Sequence, residues 1–83
     1  MKTVTLLYFA AIRELAATAT EELEVPDAVE TLGDLVLHLG TRKPSLEAAL
    51  RAVRLAKNET FAGLGEALHD GDVIALIPPV QGG

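Results

Sequence analysis

The chain has 83 residues, 49% of them hydrophobic and 23% charged, with a net charge of −5 and no cysteine. That size gives one domain able to hold a core unaided, and the composition is that of a folded globular chain rather than a disordered one. Disulfides, thiolate metal sites and thiol nucleophiles are excluded, and the scattered basic residues of an acidic chain argue against a nucleic-acid partner. Met1-Lys2-Thr3-Val4 lacks the regions of an export signal, and no apolar run approaches bilayer length. A cytoplasmic protein with no membrane partner is therefore expected.

From Thr3 to Phe9 the chain alternates, Val4, Leu6 and Tyr8 against Thr3, Thr5, Leu7 and Phe9, which predicts a strand. Ala10 to Ala17 are good helix formers with Ile12, Leu15 and Ala16 at helical spacing, so a short helix follows. Glu21 to Val25 alternates again with Leu23 and Val25 inward, an edge strand closed by the Pro26-Asp27 turn. Thr31, with Asp34 three residues on, opens the main helix, whose apolar stripe is Leu32, Leu35, Val36 and Leu39. Gly40 is expected as its C-terminal cap, and Ser45 as the cap of a second helical stretch carrying Leu46, Ala49 and Leu50, with Val53 open between that face and the next strand.

Val53 to Lys57 predicts a strand, Asn58-Glu59 a turn, Leu64 to Leu68 a brief helical or irregular turn, and His69-Asp70-Gly71-Asp72 a further turn. Val73 to Ile77 is apolar on both faces, as a central strand requires. The order predicts an α+β domain over residues 1–77, a mixed sheet covered on one face by the main helix, with residues 78–83 a separate, flexible Gly-Gly tail. First and last strands are expected side by side and parallel, which is the β-grasp arrangement of ubiquitin-like proteins.

The body offers no catalytic constellation. His38 and His69 have no partner at metal-ligand spacing, so no metal site is expected; His38 falls off the apolar stripe and is read as solvated. Glu21, Glu22 and Glu24 read as a solvated strand edge, and Gly63-Leu64-Gly65 as a turn rather than a nucleotide loop. The reactive group is instead expected at the end, Ile77-Pro78-Pro79-Val80-Gln81-Gly82-Gly83. Prolines project the tail from the body, and two residues without Cβ can thread a narrow tunnel with the carboxylate open to chemistry. Phe9, Phe61 and Ile77 are either ordinary core or a docking patch near the root of that tail; the residues alone leave both open.

Leu7-Tyr8-Phe9-Ala10-Ala11-Ile12-Arg13-Glu14-Leu15, then Asn58, Leu68-His69-Asp70-Gly71-Asp72-Val73 and Pro78-Pro79-Val80-Gln81-Gly82-Gly83 together resemble the small, sulfur-carrying subunits of molybdopterin synthase, over the whole chain. The resemblance implies that an E1-like adenylyltransferase uses ATP and Mg²⁺ to adenylate the carboxylate of Gly83. A sulfur donor protein then replaces AMP to leave a thiocarboxylate. It also implies a heterotetramer with the large subunit, in whose active site the tail delivers sulfur to cyclic pyranopterin monophosphate, and no permanently bound cofactor. By position, Gly83 bears the chemistry, Gly82 keeps the tunnel passable, Pro78, Pro79, Val80 and Gln81 form the inserting tail, and Phe9, Phe61 and Ile77 form the partner interface. Gln81, where the family is usually small, and Lys57, where an apolar residue is common, depart from its pattern. Three rivals stand beside this reading: a sulfur carrier for thiazole or tRNA thiolation, a modifier conjugated through Gly83, and a non-covalent binding module.

Overall fold

A computed structural model describes residues 1–79. Five strands, β1 (Lys2–Tyr8), β2 (Thr20–Val25), β3 (Arg54–Lys57), β4 (Thr60–Ala62) and β5 (Val73–Ile77), form one sheet in the order β2-β1-β5-β3-β4. The central pair, β1 and β5, is parallel, and the other pairings are antiparallel. Helices α1 (Ala10–Ala16), α2 (Leu32–Arg42) and α3 (Glu47–Leu50), with a 3₁₀ turn over Pro44–Leu46, complete the chain. This is the mixed sheet covered on one face that the alternation and helical spacing predict.

The periodicities explain the layering. Alternate residues of a strand share a face, and the even set of β1, Val4, Leu6 and Tyr8, is buried with Leu23 and Val25 of β2, Leu55 of β3 and Ile74 and Leu76 of β5. Every helical segment feeds the same cluster, through Ile12, through Leu32, Leu35 and Leu39, through Leu46, and through Leu50. Helix α2 starts where its cap chemistry dictates. The Thr31 side chain accepts from the Asp34 N–H, and the Asp34 carboxylate accepts from the Glu30 and Thr31 N–H groups at 3.1 and 3.2 Å. Those bonds, from Glu30 first, hold the Asp34 carboxyl below its ordinary range.

The structure corrects several local expectations. Gly40 does not end α2: the helix runs on to Arg42, with Lys43 as the capping residue. A Cβ at Gly40 would meet only ordinary contacts, 3.6 Å to Glu47 and 3.8 Å to Leu50, so nothing forces a stop there. Ser45 caps no helix either, because Pro44 draws it into the 3₁₀ turn. Thr60–Ala62, unpredicted because three residues carry no period, pairs with β3 through the Asn58-Glu59 turn. Both turn residues have positive φ, +50° and +74°, which matches the twist of a tight hairpin.

Candidate functional site

The second face of the sheet carries no helix from the described residues, and the register shows what lies on it. In β5 the residues opposite in sense to Ile74 and Leu76 are Val73, Ala75 and Ile77, all half-buried. Leu7 pairs with Ala75. Phe9 is still extended, φ −121° and ψ 149°, so the alternation of β1 continues through it. One step beyond the Tyr8↔Leu76 pair, Phe9 comes level with Ile77. On the other side, Ile77 pairs with Arg54 and Ala75 with Ala56, and Ala56 pairs in turn with Phe61. Phe9, Ile77 and Phe61 therefore share one face, with Leu7, Ala75 and Ala56 between them.

Exposure decides the question that the residues alone leave open. Phe9 is 45% exposed and Phe61 62%, so neither aromatic is core. With Ile77 half-buried between them, the two exposed rings form an apolar patch on the face that the helices leave open. Ile77 is the last residue of β5, and Pro78 follows it at once.

Two devices hold the face in place. Ala10 has φ +51°, a left-handed conformation costly for a residue with a Cβ, and it turns the chain sharply from β1 into α1 immediately after Phe9. At the opposite end, Asn58 links the hairpin to β5. Its Oδ1 accepts from the Val73 N–H at 2.9 Å, and its Nδ2 donates to the Asp72 carboxylate at 3.0 Å. Asp72 is the buried charged residue among those described, and its second oxygen accepts from the His69 N–H at 2.8 Å. Burial alone would raise its pKa, but the bonds from His69 and Asn58 outweigh it and hold the carboxyl below the ordinary range. Asn58 was legible as a turn residue; its pairing with Asp72, fourteen positions away, was not.

Other candidates resolve differently. His69 lies exposed in its turn, whereas His38 is half-buried with its Nε2 shielded from solvent and unpartnered, not the solvated residue its helix position predicts. Glu22 and Glu24 are exposed on the β2 edge, but Glu21 turns to the core side, where it accepts from the Tyr8 hydroxyl at 2.7 Å and faces Lys43 Nζ at 3.4 Å. Burial first, and then that bond to Glu21, push the Tyr8 phenol well above its ordinary pKa. Lys57, which departs from the expected apolar residue, donates to the Ala67 carbonyl at 3.0 Å. Among the described residues no three His, Asp or Glu side chains come together as a metal site. Pro78 is half-buried and Pro79 exposed; Val80, Gln81, Gly82 and Gly83 lie outside the described residues.

A parallel β1–β5 pair at the centre of a mixed five-stranded sheet, with a helix crossing one face, defines a ubiquitin-like β-grasp protein. The chain belongs to the ThiS family, whose pattern matches residues 6–83. It is 41% identical over 81 residues to the molybdopterin synthase sulfur carrier subunit of Mycobacterium tuberculosis, covering 96% of each chain. Among solved structures it resembles small archaeal modifier protein 1 of Haloferax volcanii, with TM-score 0.83, 31% identity and coverage of 96% of this chain and 100% of that one. It also resembles a chain in the complex of subunits 1 and 2 of the molybdopterin-converting factor from Helicobacter pylori, with TM-score 0.69, 29% identity and coverage of 98% and 99%.

Proposed function

We propose that this protein carries sulfur for molybdenum cofactor biosynthesis, as the small subunit of a molybdopterin synthase. An E1-like adenylyltransferase joins the Gly83 carboxylate to AMP from ATP, with Mg²⁺, and releases pyrophosphate. Carboxylate oxygen is a poor leaving group and AMP a good one, so the outer sulfur of a persulfide on a sulfur donor protein can displace AMP to give an acyl disulfide. A second donor thiol cleaves it to leave the thiocarboxylate and a disulfide on the donor. With no cysteine in the chain, the terminus is where sulfur can be held. Pro78, Pro79, Val80, Gln81 and Gly82 pass into the large subunit's active site, where Gly83 gives up its sulfur to cyclic pyranopterin monophosphate. On its own the protein is not an enzyme; it is the sulfur-donating subunit of a heterotetramer.

The observation that carries this reading is the exposed face of Phe9, Ile77 and Phe61 at the point where β5 gives way to Pro78. Such a face can hold a partner while the tail reaches past it. The same face serves the adenylyltransferase and the large subunit in turn, so the two bind exclusively of one another.

Mass spectrometry of the protein from its native host tests the chemistry. The tryptic peptide after Lys57 runs from Asn58 to Gly83 and contains no Met, Cys or Trp, so side-chain oxidation of those residues cannot imitate a sulfur-for-oxygen exchange. The expected result is that mass increase on wild type and its absence when Gly82 and Gly83 are deleted. An unmodified tail in cells actively making the cofactor overturns the reading. The likeness to an archaeal modifier protein favours a second reading, conjugation of Gly83 to other proteins. High-mass conjugates that vanish on deleting Gly83 are its signature.

A further inference from the structure

One side chain on the free face departs from the apolar character around it. Arg54 is exposed, pairs across β3 and β5 with Ile77, and holds its guanidinium carbon 4.5 Å from the centroid of the Phe61 ring. One step beyond the Leu55↔Ala62 pair, the residue facing Arg54 is Gly63. With no side chain opposite, the arginine is free to lie diagonally across Phe61. The ring supports one face of the guanidinium by cation–π contact, which fixes its plane while the N–H groups at its edge stay open to an acceptor.

Among the described residues that cation has no counterion. The ion pairs among the described residues use the N-terminus, Lys43, Arg51 and His69, and none involves Arg54. It is also a positive point on a chain of net charge −5. Beside it lies a shallow hollow of about 420 Å³, lined by Val53, Arg54, Phe61, Ala62, Gly63 and Leu64. A partner that closed over this face with apolar groups alone would strip water from a guanidinium and give nothing back, which is strongly unfavourable.

We propose that Arg54 selects the docking partner. The surface that closes over Phe9, Ile77 and Phe61 brings an Asp or Glu side chain into the hollow beside Phe61, where its carboxylate accepts two N–H groups of Arg54. The inference rests on the reading above, that this face docks the large subunit, and it assigns the carboxylate to that subunit.

The test is calorimetric titration of the full-length protein with the purified large subunit from the same genome, at low and high salt. Arg54→Glu is expected to weaken binding roughly 100-fold, and Arg54→Lys, which keeps the charge but loses the planar fork, roughly tenfold. Wild-type affinity is expected to fall more steeply with salt than that of Arg54→Glu. Arg54 is exposed, so these variants retain the fold. If both bind within about twofold of wild type while Phe9→Ala binds weakly, the docking face stands and the carboxylate inference is overturned. If Phe9→Ala also binds like wild type, or wild type does not bind, the face is not the interface and both readings fall.

Discussion

Asn58 and Asp72 offer the sharpest test of how the free face is held. Replacing Asn58 by Ala removes the 3.0 Å bond to the Asp72 carboxylate and the 2.9 Å bond from Val73 N–H, and it leaves a methyl side chain at φ +50°. The charge-assisted bond is worth about 1.5–3 kcal/mol, the neutral one about 0.5–1.5, and the left-handed backbone about 1, so the loss is roughly 3–5 kcal/mol. A domain of this size is stable by roughly 4–12 kcal/mol at about 0.05–0.15 per residue, so the variant is expected to fold with a much lowered urea midpoint. Asp72→Ala and the double variant complete a cycle. The backbone cost is common to the single and double variants that alter Asn58 and cancels, leaving a coupling of about 1.5–3 kcal/mol for the pair.

The sign of the pH dependence follows from the depressed folded-state pKa of Asp72. A carboxyl held low in the native state contributes its stability in full above the unfolded value of about 3.9 and loses it as pH falls through the lower folded value. The penalty of Asn58→Ala is therefore expected to be largest at neutral pH and to shrink in acid, once Asp72 is protonated. Urea titrations at neutral pH and near pH 3 measure both quantities. A coupling below about 0.5 kcal/mol, or a penalty unchanged in acid, refutes the argument that these two side chains act as one lock.

Tyr8 is the one tyrosine and the chain has no tryptophan, so phenol ionisation is directly readable by ultraviolet absorbance. With its pKa raised by burial and by Glu21, Tyr8 should stay protonated near pH 10 in the folded protein and ionise there once urea unfolds it. Its stabilising effect is full below the unfolded pKa and is lost as pH rises toward the folded one; a folded-state midpoint near 10 contradicts the geometry. Ala17 ends α1 at φ +62°, where its N–H reaches the Glu14 carbonyl. Ala17→Gly is expected to stabilise the domain by up to about 1 kcal/mol, because relief of the left-handed backbone exceeds the added entropy of the unfolded chain; a lowered melting temperature refutes that balance.

The layers were legible in the sequence alone. Alternation in β1, β2 and β5 and the 3.6-residue stripe of α2 are local signals, because each depends only on which side chains the backbone geometry brings to one face. The Pro-Pro and Gly-Gly of the C-terminal segment are equally local, and the proposal that Gly83 carries the chemistry rests on them without reference to the fold. Gly40 stays inside α2, which runs on to Arg42, and Ser45 joins the 3₁₀ turn that Pro44 opens; there one local preference overrode another. Local rules failed where a distant neighbour had the deciding vote. Thr60–Ala62 becomes a strand only because β3 is there to pair with it.

The open face of the sheet shows the same division. Phe9, Phe61 and Ile77 were legible as large apolar residues, but whether they were core or surface depended on which side of the sheet the helices cover. Strand order brought Arg54 beside Ile77 and over Phe61, and it brought Asn58 to Asp72. Apart from Arg54 and Phe61, which a single hairpin brings together, those pairs are far apart in the chain, and none carries a pattern of its own. Only closure of the sheet makes them neighbours, because register between strands is fixed by burying the whole apolar set on one face, not by the residues that meet on the other.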